Sequence, residues 1–200
     1  MSVVVSSSLP PPDTRRWTLD EYHRLIRGGN LTEDDSVELL EGWIVSKMSR
    51  NANHDLAIED LEDALRPMLP AGFRIRVQCA LTVASSESEP APDLIVCTSQ
   101  DGRRGRHPEP GDTSLVVEVA DSSLRGDRGR KLRIYANGGI PVHWIVNLND
   151  RQVEVYTDPT GPSPRPKYRS KQIYRNGSKI PVSLNDDELG TIVAKSIFPK

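Results

Sequence analysis

The chain has 200 residues, a length that suits one domain. Hydrophobic residues make up 36% and charged residues 27%, a balance that can build one modest core and excludes a chain too polar to fold. The formal net charge of -2 argues against a protein coated in basic charge for indiscriminate nucleic-acid binding. No apolar stretch approaches the roughly 20 residues of a membrane helix, and the N terminus lacks a signal-peptide pattern. We therefore expect a cytoplasmic protein with no membrane partner.

The first part of the chain predicts two helices and a hairpin after an irregular leader. Thr18 and Glu21 form a capping box at the start of an amphipathic segment. β-Favouring residues flank the turn pair Glu41-Gly42, and apolar residues recur at helical spacing after Asn53. In order, the predicted elements are a flexible leader over 1–16, a helix over 18–27, a hairpin over 37–48 and a helix over 53–68.

The rest of the chain predicts strands around one further helix. Apolar runs are separated by Pro-, Ser- and Gly-rich connections, and an amphipathic segment stops at Gly138-Gly139. Cys79 and Cys97 lie in apolar runs and are expected to be free thiols. We therefore predict one α/β domain over 17–200, with a mixed central sheet flanked by helices. The predicted elements are strands over 73–83, 93–98 and 114–119, a helix over 123–137, strands over 142–148, 152–156, 167–174 and 180–184, and a weak helix over 187–195.

Two carboxylates interrupt the apolar strand runs. Asp93 opens the run 94–97 directly after Pro92, and Glu118 lies inside the run 115–120. In a strand buried on both faces, an unpaired carboxylate costs several kcal/mol and must be paired or bind a metal. Two carboxylates from neighbouring strands, with a backbone carbonyl and water, match the all-oxygen ligands of Mg²⁺.

The helix after Glu118 carries a lysine on its apolar face. At about 100° per residue, Lys131 falls between Leu124 and Tyr135, in the middle of that face. Helical side chains lean toward the N-terminal end of the helix, which is the end that follows Glu118. The carboxylate pair is therefore the expected partner of this ammonium group.

Each of these residues also has an ordinary structural interpretation. Asp93 could serve only turn chemistry after a proline, and Lys131 could extend past the apolar face to water. Glu118 could pair with Arg128 or Arg133 for stability alone. The joint occurrence of the three residues favours a chemical site.

Several short motifs occur in order between about residues 17 and 157. They are Glu38-Leu39-Leu40-Glu41-Gly42, His54, Pro92-Asp93-Leu94, Val116-Val117-Glu118-Val119, Asp127 with Lys131 and Tyr135, and Gly139-Ile140-Pro141 before Trp144-Ile145-Val146. This ordered set resembles the restriction-endonuclease-like superfamily, whose signature is written PD-(D/E)XK, and more closely resembles the Uma-two family of endonucleases. The resemblance implies a restriction-endonuclease-like arrangement of the α/β fold.

The resemblance also implies metal-dependent hydrolysis of a phosphodiester, with DNA as the expected substrate and a homodimer as the expected assembly. Asp93, Glu118 and the Val119 carbonyl would hold Mg²⁺ or Mn²⁺. Lys131 would orient the attacking water or stabilise the transition state. The superfamily's usual lysine position holds Ala120, so this role passes to Lys131. Glu38 is the candidate for a further metal ligand, and contacts behind the ligands are expected from His54, Asp127 and Tyr135.

Two basic segments are candidates for nucleic-acid binding. Arg165, Lys167, Arg169 and Lys171 alternate at period two and would project from one face of a strand. That face could follow a phosphate backbone or could be a charged edge that resists aggregation. A second candidate, the loop over 102–107, could order on DNA or remain solvated.

Two other functions compete with a nuclease. One is a catalytically silent nuclease fold that binds nucleic acid or a partner protein. The other is a metal-independent enzyme that uses His54 or a cysteine as nucleophile, for which no Cys/His/Asn or Ser/His/Asp pattern is present in the sequence. The intact set of Asp93, Glu118 and Lys131 favours the enzyme.

Overall fold

The computed structural model describes residues 14–48, 50–98, 105–185 and 187–199. Before residue 70 the described chain contains two helices and a hairpin, as predicted. They are α1 (Leu19–Arg27), β1 (Val37–Leu40), β2 (Trp43–Ser46) and α2 (Ala52–Leu65). α1 begins with the predicted capping box of Thr18 and Glu21 and is closed by Gly28. The predicted leader lies outside the described residues except for 14–16.

The β1–β2 hairpin turns through Glu41 and Gly42, whose φ angles are 51° and 78°. Two successive positive φ angles match the twist of the flanking strands in a two-residue hairpin turn. A Cβ atom on Gly42 would lie 2.6 Å from the Cβ of Arg16, and the Gly42 carbonyl accepts the N–H of Trp17 at 2.8 Å. Both conformation and close packing therefore require glycine at this position.

A six-stranded mixed sheet forms the centre of the fold, which confirms the predicted α/β class. Its strands, from edge to edge, are β3 (Phe73–Val77), β4 (Leu94–Thr98), β5 (Thr113–Ala120), β6 (Val142–Asn147), β7 (Gln152–Pro159) and β8 (Tyr168–Arg175). β5 and β6 run parallel, and the other neighbouring pairs are antiparallel. The parallel pair is joined by the third helical segment, as such a crossover requires.

The third helical segment changes its winding along its length. An α-helical turn, α3 (Leu124–Gly126), leads into a π-helical stretch over Asp127–Lys131 and then into α4 (Leu132–Gly138). The segment ends at Gly139, whose φ of 74° is the left-handed conformation of a helix C-terminus. The sequence predicts its bounds but not its π-helical stretch. Among the described residues, no helix is both long enough and apolar enough to cross a membrane.

The two faces of the sheet pack against different elements. On one face, α2 and the C-terminal residues cover side chains such as Val96 and Val117. On the other face, α4 and the hairpin cover Ile95, Val116 and Ile145. Alternate residues of β5 therefore reach different cores, and Glu118, two residues after Val116, projects toward the face covered by α4.

The prediction of a strand over 73–83 is wrong in its second half. β3 ends at Val77, because Gln78 adopts a φ of 50° and turns the chain out of the sheet. Leu81 and Val83 are nevertheless fully buried, since they pack into the core beneath α4. Their apolar character reflects burial in a loop. Cys79 and Cys97 are free thiols, as predicted.

The prediction of a weak helix over 187–195 is also wrong. This segment forms β10 (Asp187–Val193), which pairs antiparallel with β9 (Lys179–Leu184). Ile192 faces the core at 4% exposure, and the pairing satisfies backbone groups that a helix would have satisfied internally. A short helical turn over Ala194–Ile197 follows.

Candidate active site

Asp93 and Glu118 meet at the open end of two antiparallel strands. Leu94 of β4 pairs with Val117 of β5, so the next pair outward sets Asp93 opposite Glu118 on the same face of the sheet. The Asp93 side chain retains 14% of its surface and that of Glu118 only 3%. Oδ2 of Asp93 accepts the N–H of Val119 at 2.7 Å. This hydrogen bond fixes the Asp93 carboxylate beside the end of β5.

Glu118 is held at both of its oxygen atoms. The Tyr135 hydroxyl donates to Oε1, and the ammonium group of Lys131 lies 3.0 Å from Oε2. Burial raises the pKa of Glu118 well above its ordinary value, Lys131 opposes this rise, and the nearby carboxylates of Asp127 and Asp93 add to it. Glu118 is therefore a carboxylate whose negative charge depends on a neighbouring cation.

Lys131 lies between two carboxylates. Its Nζ is 3.0 Å from Oε2 of Glu118 and 3.7 Å from Oε2 of Glu38, and its side chain is 14% exposed. Burial alone would lower the pKa of Lys131, but the charges of Glu118, Glu38 and Asp127 outweigh burial and raise it. The group is therefore an ammonium at neutral pH. The alternative pairing of Glu118 with Arg128 or Arg133 does not occur.

Glu38 and Asp127 add two further buried carboxylates to those of Asp93 and Glu118. Glu38 of β1 is 6% exposed, and its Oε2 accepts the N–H of Ala91 at 3.1 Å. Asp127 is 2% exposed and accepts the Ser123 hydroxyl at 2.6 Å. Burial raises the pKa of Asp127 to about 6, although Lys131 opposes the rise. Both residues are thus held by neighbouring polar groups at fixed positions.

His54 approaches the site from the first turn of α2. Its Nε2 lies 3.3 Å from Oδ2 of Asp93, and its Nδ1 lies 3.4 Å from Oδ1 of Asp55. Burial alone would lower the pKa of His54, but the two carboxylates outweigh it and raise the pKa above the ordinary value. His54 and Asp93 thus contact each other within the cleft, and the two carboxylates stabilise the protonated ring.

These side chains share one open cleft of about 1300 Å³. Its floor carries the carboxylates of Glu38, Asp93, Glu118 and Asp127. Within the described residues, no three His, Cys, Asp or Glu side chains lie close enough together to hold a metal ion by themselves. Any metal site here would therefore depend on fewer side chains, with backbone or water oxygens as further ligands.

The predicted basic segment lies away from this cleft. Arg165 and Lys167 precede β8, which is the edge strand three positions from β5. Arg169 pairs with Asp158 at 2.7 Å, and Lys171 lies 2.9 Å from the buried carboxylate of Glu154. None of the four basic residues lines the cleft. The other predicted basic loop, over 102–107, lies outside the described residues except for 105–107.

The cleft has cations that the sequence reasoning missed. They are Lys47, Arg50, Arg125, Arg130 and Arg133. The first two lie in the connection between β2 and α2, and the three arginines lie in the third helical segment. No continuous run of basic residues marks this surface, because its members are separated by up to 86 positions in the sequence. The Arg-rich stretch from 125 to 133 was the one available signal.

Comparisons with known proteins bear on the fold and the family of the chain. A solved structure described as "a putative nuclease belonging to DUF820 from Anabaena variabilis ATCC 29413" is similar in fold, with a TM-score of 0.63 and 16% sequence identity. The match covers 90% of this chain and 97% of that chain. No curated protein sequence matches the chain. The model of the Uma2 family, described as "Putative restriction endonuclease", matches residues 19–187, and the chain therefore belongs to the Uma2 (Uma-two) family.

Proposed function

We propose that the chain is a metal-dependent phosphodiester hydrolase that cleaves DNA. One observation carries the proposal: Lys131 contacts Glu118, and Glu118 lies opposite Asp93 at the open end of two strands. In one cleft, carboxylates can hold a divalent metal and an ammonium group can stabilise the charge that develops during hydrolysis. Membership of a family described as restriction endonucleases supports a nucleic acid as the substrate.

The oxygen atoms beside Asp93 suit Mg²⁺ or Mn²⁺. Mg²⁺ is commonly held by one or two carboxylates and retains several waters, and Asp93 and Glu118 supply two. The N–H of Val119 points toward Asp93, while the Ala120 carbonyl accepts from Leu148 on the other side of β5. The Val119 carbonyl is therefore directed to the Asp93 side. We propose Asp93, Glu118 and the Val119 carbonyl as the protein ligands, with Glu38 at the edge of the site.

The neighbouring residues would orient these ligands and balance charge. Tyr135 holds one oxygen of Glu118, and His54 contacts Asp93. As a cation, Lys131 cannot accept a proton, so its role would be to orient the attacking water or to stabilise negative charge on the phosphate in the transition state. A bound divalent metal would supply a water of lowered pKa and neutralise phosphate charge.

Cleavage of supercoiled plasmid DNA tests the proposal. We expect nicking with Mg²⁺ or Mn²⁺ and none with EDTA. Asp93→Asn should lower the rate by roughly 100-fold or more while its melting temperature stays near that of the parent, because Asp93 lies at a strand end. Arg165→Gln, on the distant edge, is the matched control and should cleave normally. Full cleavage by Asp93→Asn would contradict the proposal.

The alternative is a catalytically silent module that binds nucleic acid or protein. It is favoured by one observation, that both oxygens of Glu118 are already engaged by Lys131 and Tyr135. Calorimetric titration with Mn²⁺ separates the two functions. If the chain is a hydrolase, the folded protein should bind Mn²⁺ and Asp93→Asn should weaken that binding. If it is a silent module, the folded protein should bind no Mn²⁺.

A further inference from the structure

Among the residues that the structure describes, five cations besides Lys131 line the cleft, and we call them the rim. They are Lys47, Arg50, Arg125, Arg130 and Arg133. The floor beneath them carries carboxylates, which repel any approaching polyanion. A nucleic acid can therefore reach the floor only if cations around the opening offset this repulsion. The rim has the charge and position for that task.

Three members of the rim are free to meet a ligand. Lys47, Arg50 and Arg125 are exposed, and none of them forms an ion pair with a carboxylate in the part of the chain that the structure describes. Lys47 and Arg50 lie in the connection between β2 and α2, and Arg125 lies in α3. A nucleic-acid strand lying in the cleft would thus meet unpaired cations from two separate segments of the chain.

The other two members are held by a single carboxylate. Nε and Nη2 of Arg133 donate to the two oxygens of Glu41 at 3.2 and 2.9 Å, and Nε of Arg130 lies 3.8 Å from the same group. Glu41 occupies the hairpin turn and is 27% exposed, and Arg133 is 46% exposed. These pairs are open to water and to competing anions. A phosphate offers the guanidinium the same forked geometry as a carboxylate.

We propose that the rim is the surface on which the phosphodiester backbone of DNA lies, and that Glu41 limits its affinity by withholding Arg130 and Arg133. The identity of the polyanion rests on the proposed function. The rim differs in place from the basic segment near β8, because the rim lines the cleft that holds Asp93 and Glu118 and the segment does not. Removal of one acidic side chain should therefore strengthen binding, and removal of one rim cation should weaken it.

The test is the binding of fluorescently labelled duplex DNA, measured by anisotropy in EDTA at salt concentrations between about 50 and 200 mM. Arg125→Gln should weaken binding several-fold and reduce the slope of log affinity against log salt by about 0.9, the value for one phosphate contact. Glu41→Gln should strengthen binding several-fold and increase that slope by about 1 to 2. Arg165→Gln, which lies just before β8 and outside the cleft, is the matched control and should change neither the affinity nor the slope.

A further variant shows whether the gain arises from the released arginines. Replacing Arg130 and Arg133 by glutamine in the Glu41→Gln chain should abolish the gain in DNA affinity and the increase in salt slope. Glu41→Gln keeps the size of the side chain at its turn position, so circular dichroism and melting should show an intact fold.

The inference is wrong if Glu41→Gln leaves affinity and slope unchanged, or if Arg165→Gln weakens binding as much as Arg125→Gln does. These results are distinguishable from failure of the proposed function. A protein that binds DNA as described but never cleaves it contradicts the hydrolase alone. A protein that cleaves DNA but binds it independently of the rim contradicts this inference alone.

Discussion

Glu118 and Glu154 project from the same face of the sheet, two strands apart, because both lie opposite Ile145 of β6. Each is bound by a cation from the third helical segment. Lys131 lies 3.0 Å from Glu118, and Arg128 donates from its Nε to both oxygens of Glu154 at 3.0 and 3.1 Å. The helical segment is thereby attached to the sheet at two neighbouring points. This attachment fixes the direction in which Lys131 enters the cleft.

Lys131→Ala should destabilise the metal-free protein by about 3 kcal/mol, because breaking a buried ion pair leaves an uncompensated carboxylate. Saturating Mg²⁺ should restore much of that loss by binding the folded state. Cleavage should nevertheless stay low, since the metal cannot replace a positioned ammonium group in the transition state. The comparison needs melting temperatures with and without Mg²⁺ beside cleavage rates. Equal melting losses in both conditions would mean that Lys131 is not part of a metal site.

His143→Phe should make the protein more tolerant of acid. The ring is fully buried against those of Tyr135, Tyr156 and Tyr168, and burial lowers the pKa of His143 to about 3. Since the unfolded chain binds a proton near pH 6.5, stability from this residue is lost as the pH falls from about 6.5 toward 3. Between about pH 7 and 5, the variant should lose about 2 kcal/mol less unfolding free energy than the parent. Urea unfolding at both pH values measures this, and identical losses would refute it.

Glu154→Gln should lower stability at neutral pH by about 2 kcal/mol, because the amide keeps only one acceptor oxygen and has no charge to pair with Arg128 and Lys171. Burial alone would raise the pKa of Glu154, but hydrogen bonds from Arg128, Tyr156 and Lys171 lower it to about 2. Its contribution is therefore present above pH 4.5 and lost as the pH falls toward 2. Urea unfolding should show parent and variant converging in acid. Asp158→Asn, in an exposed ion pair, is the control and should cost at most about 0.5 kcal/mol. A constant difference between parent and Glu154→Gln at every pH would contradict the assignment.

Gly42→Ala should destabilise the protein by roughly 1 to 3 kcal/mol. The new Cβ would lie 2.6 Å from the Cβ of Arg16, which is too close. The alanine would also be strained by the φ of 78° at this position. Gly139→Ala is the matched control, because its φ of 74° is similar and its Cβ would meet nothing within 4 Å. Chemical denaturation of both variants separates packing from backbone strain. The Gly42 variant must lose more than the Gly139 variant for the packing argument to hold.

Local patterns in the sequence were sufficient for most of the elements. Each of three local signals predicts a backbone conformation from a few adjacent residues: the capping box at Thr18, the turn pair Glu41-Gly42 and Gly139 directly after α4. The carboxylates of Asp93 and Glu118 were noticeable because they interrupt apolar runs, and strand pairing then sets them opposite one another. Their chemical roles stay predictions, tested by the variants above.

Only the tertiary structure determines which charged side chains pair with one another and which conformations the segments 78–83 and 187–193 adopt. Leu81 and Val83 are as apolar as strand residues, yet they fill a core from a loop, and 187–193 forms a strand only because β9 lies beside it. Lys171 pairs with Glu154 because β7 and β8 are neighbours in the sheet. Periodicity reports which face of an element is buried, whereas an ion pair depends on which elements are neighbours in space, and that information is absent from any local stretch of sequence.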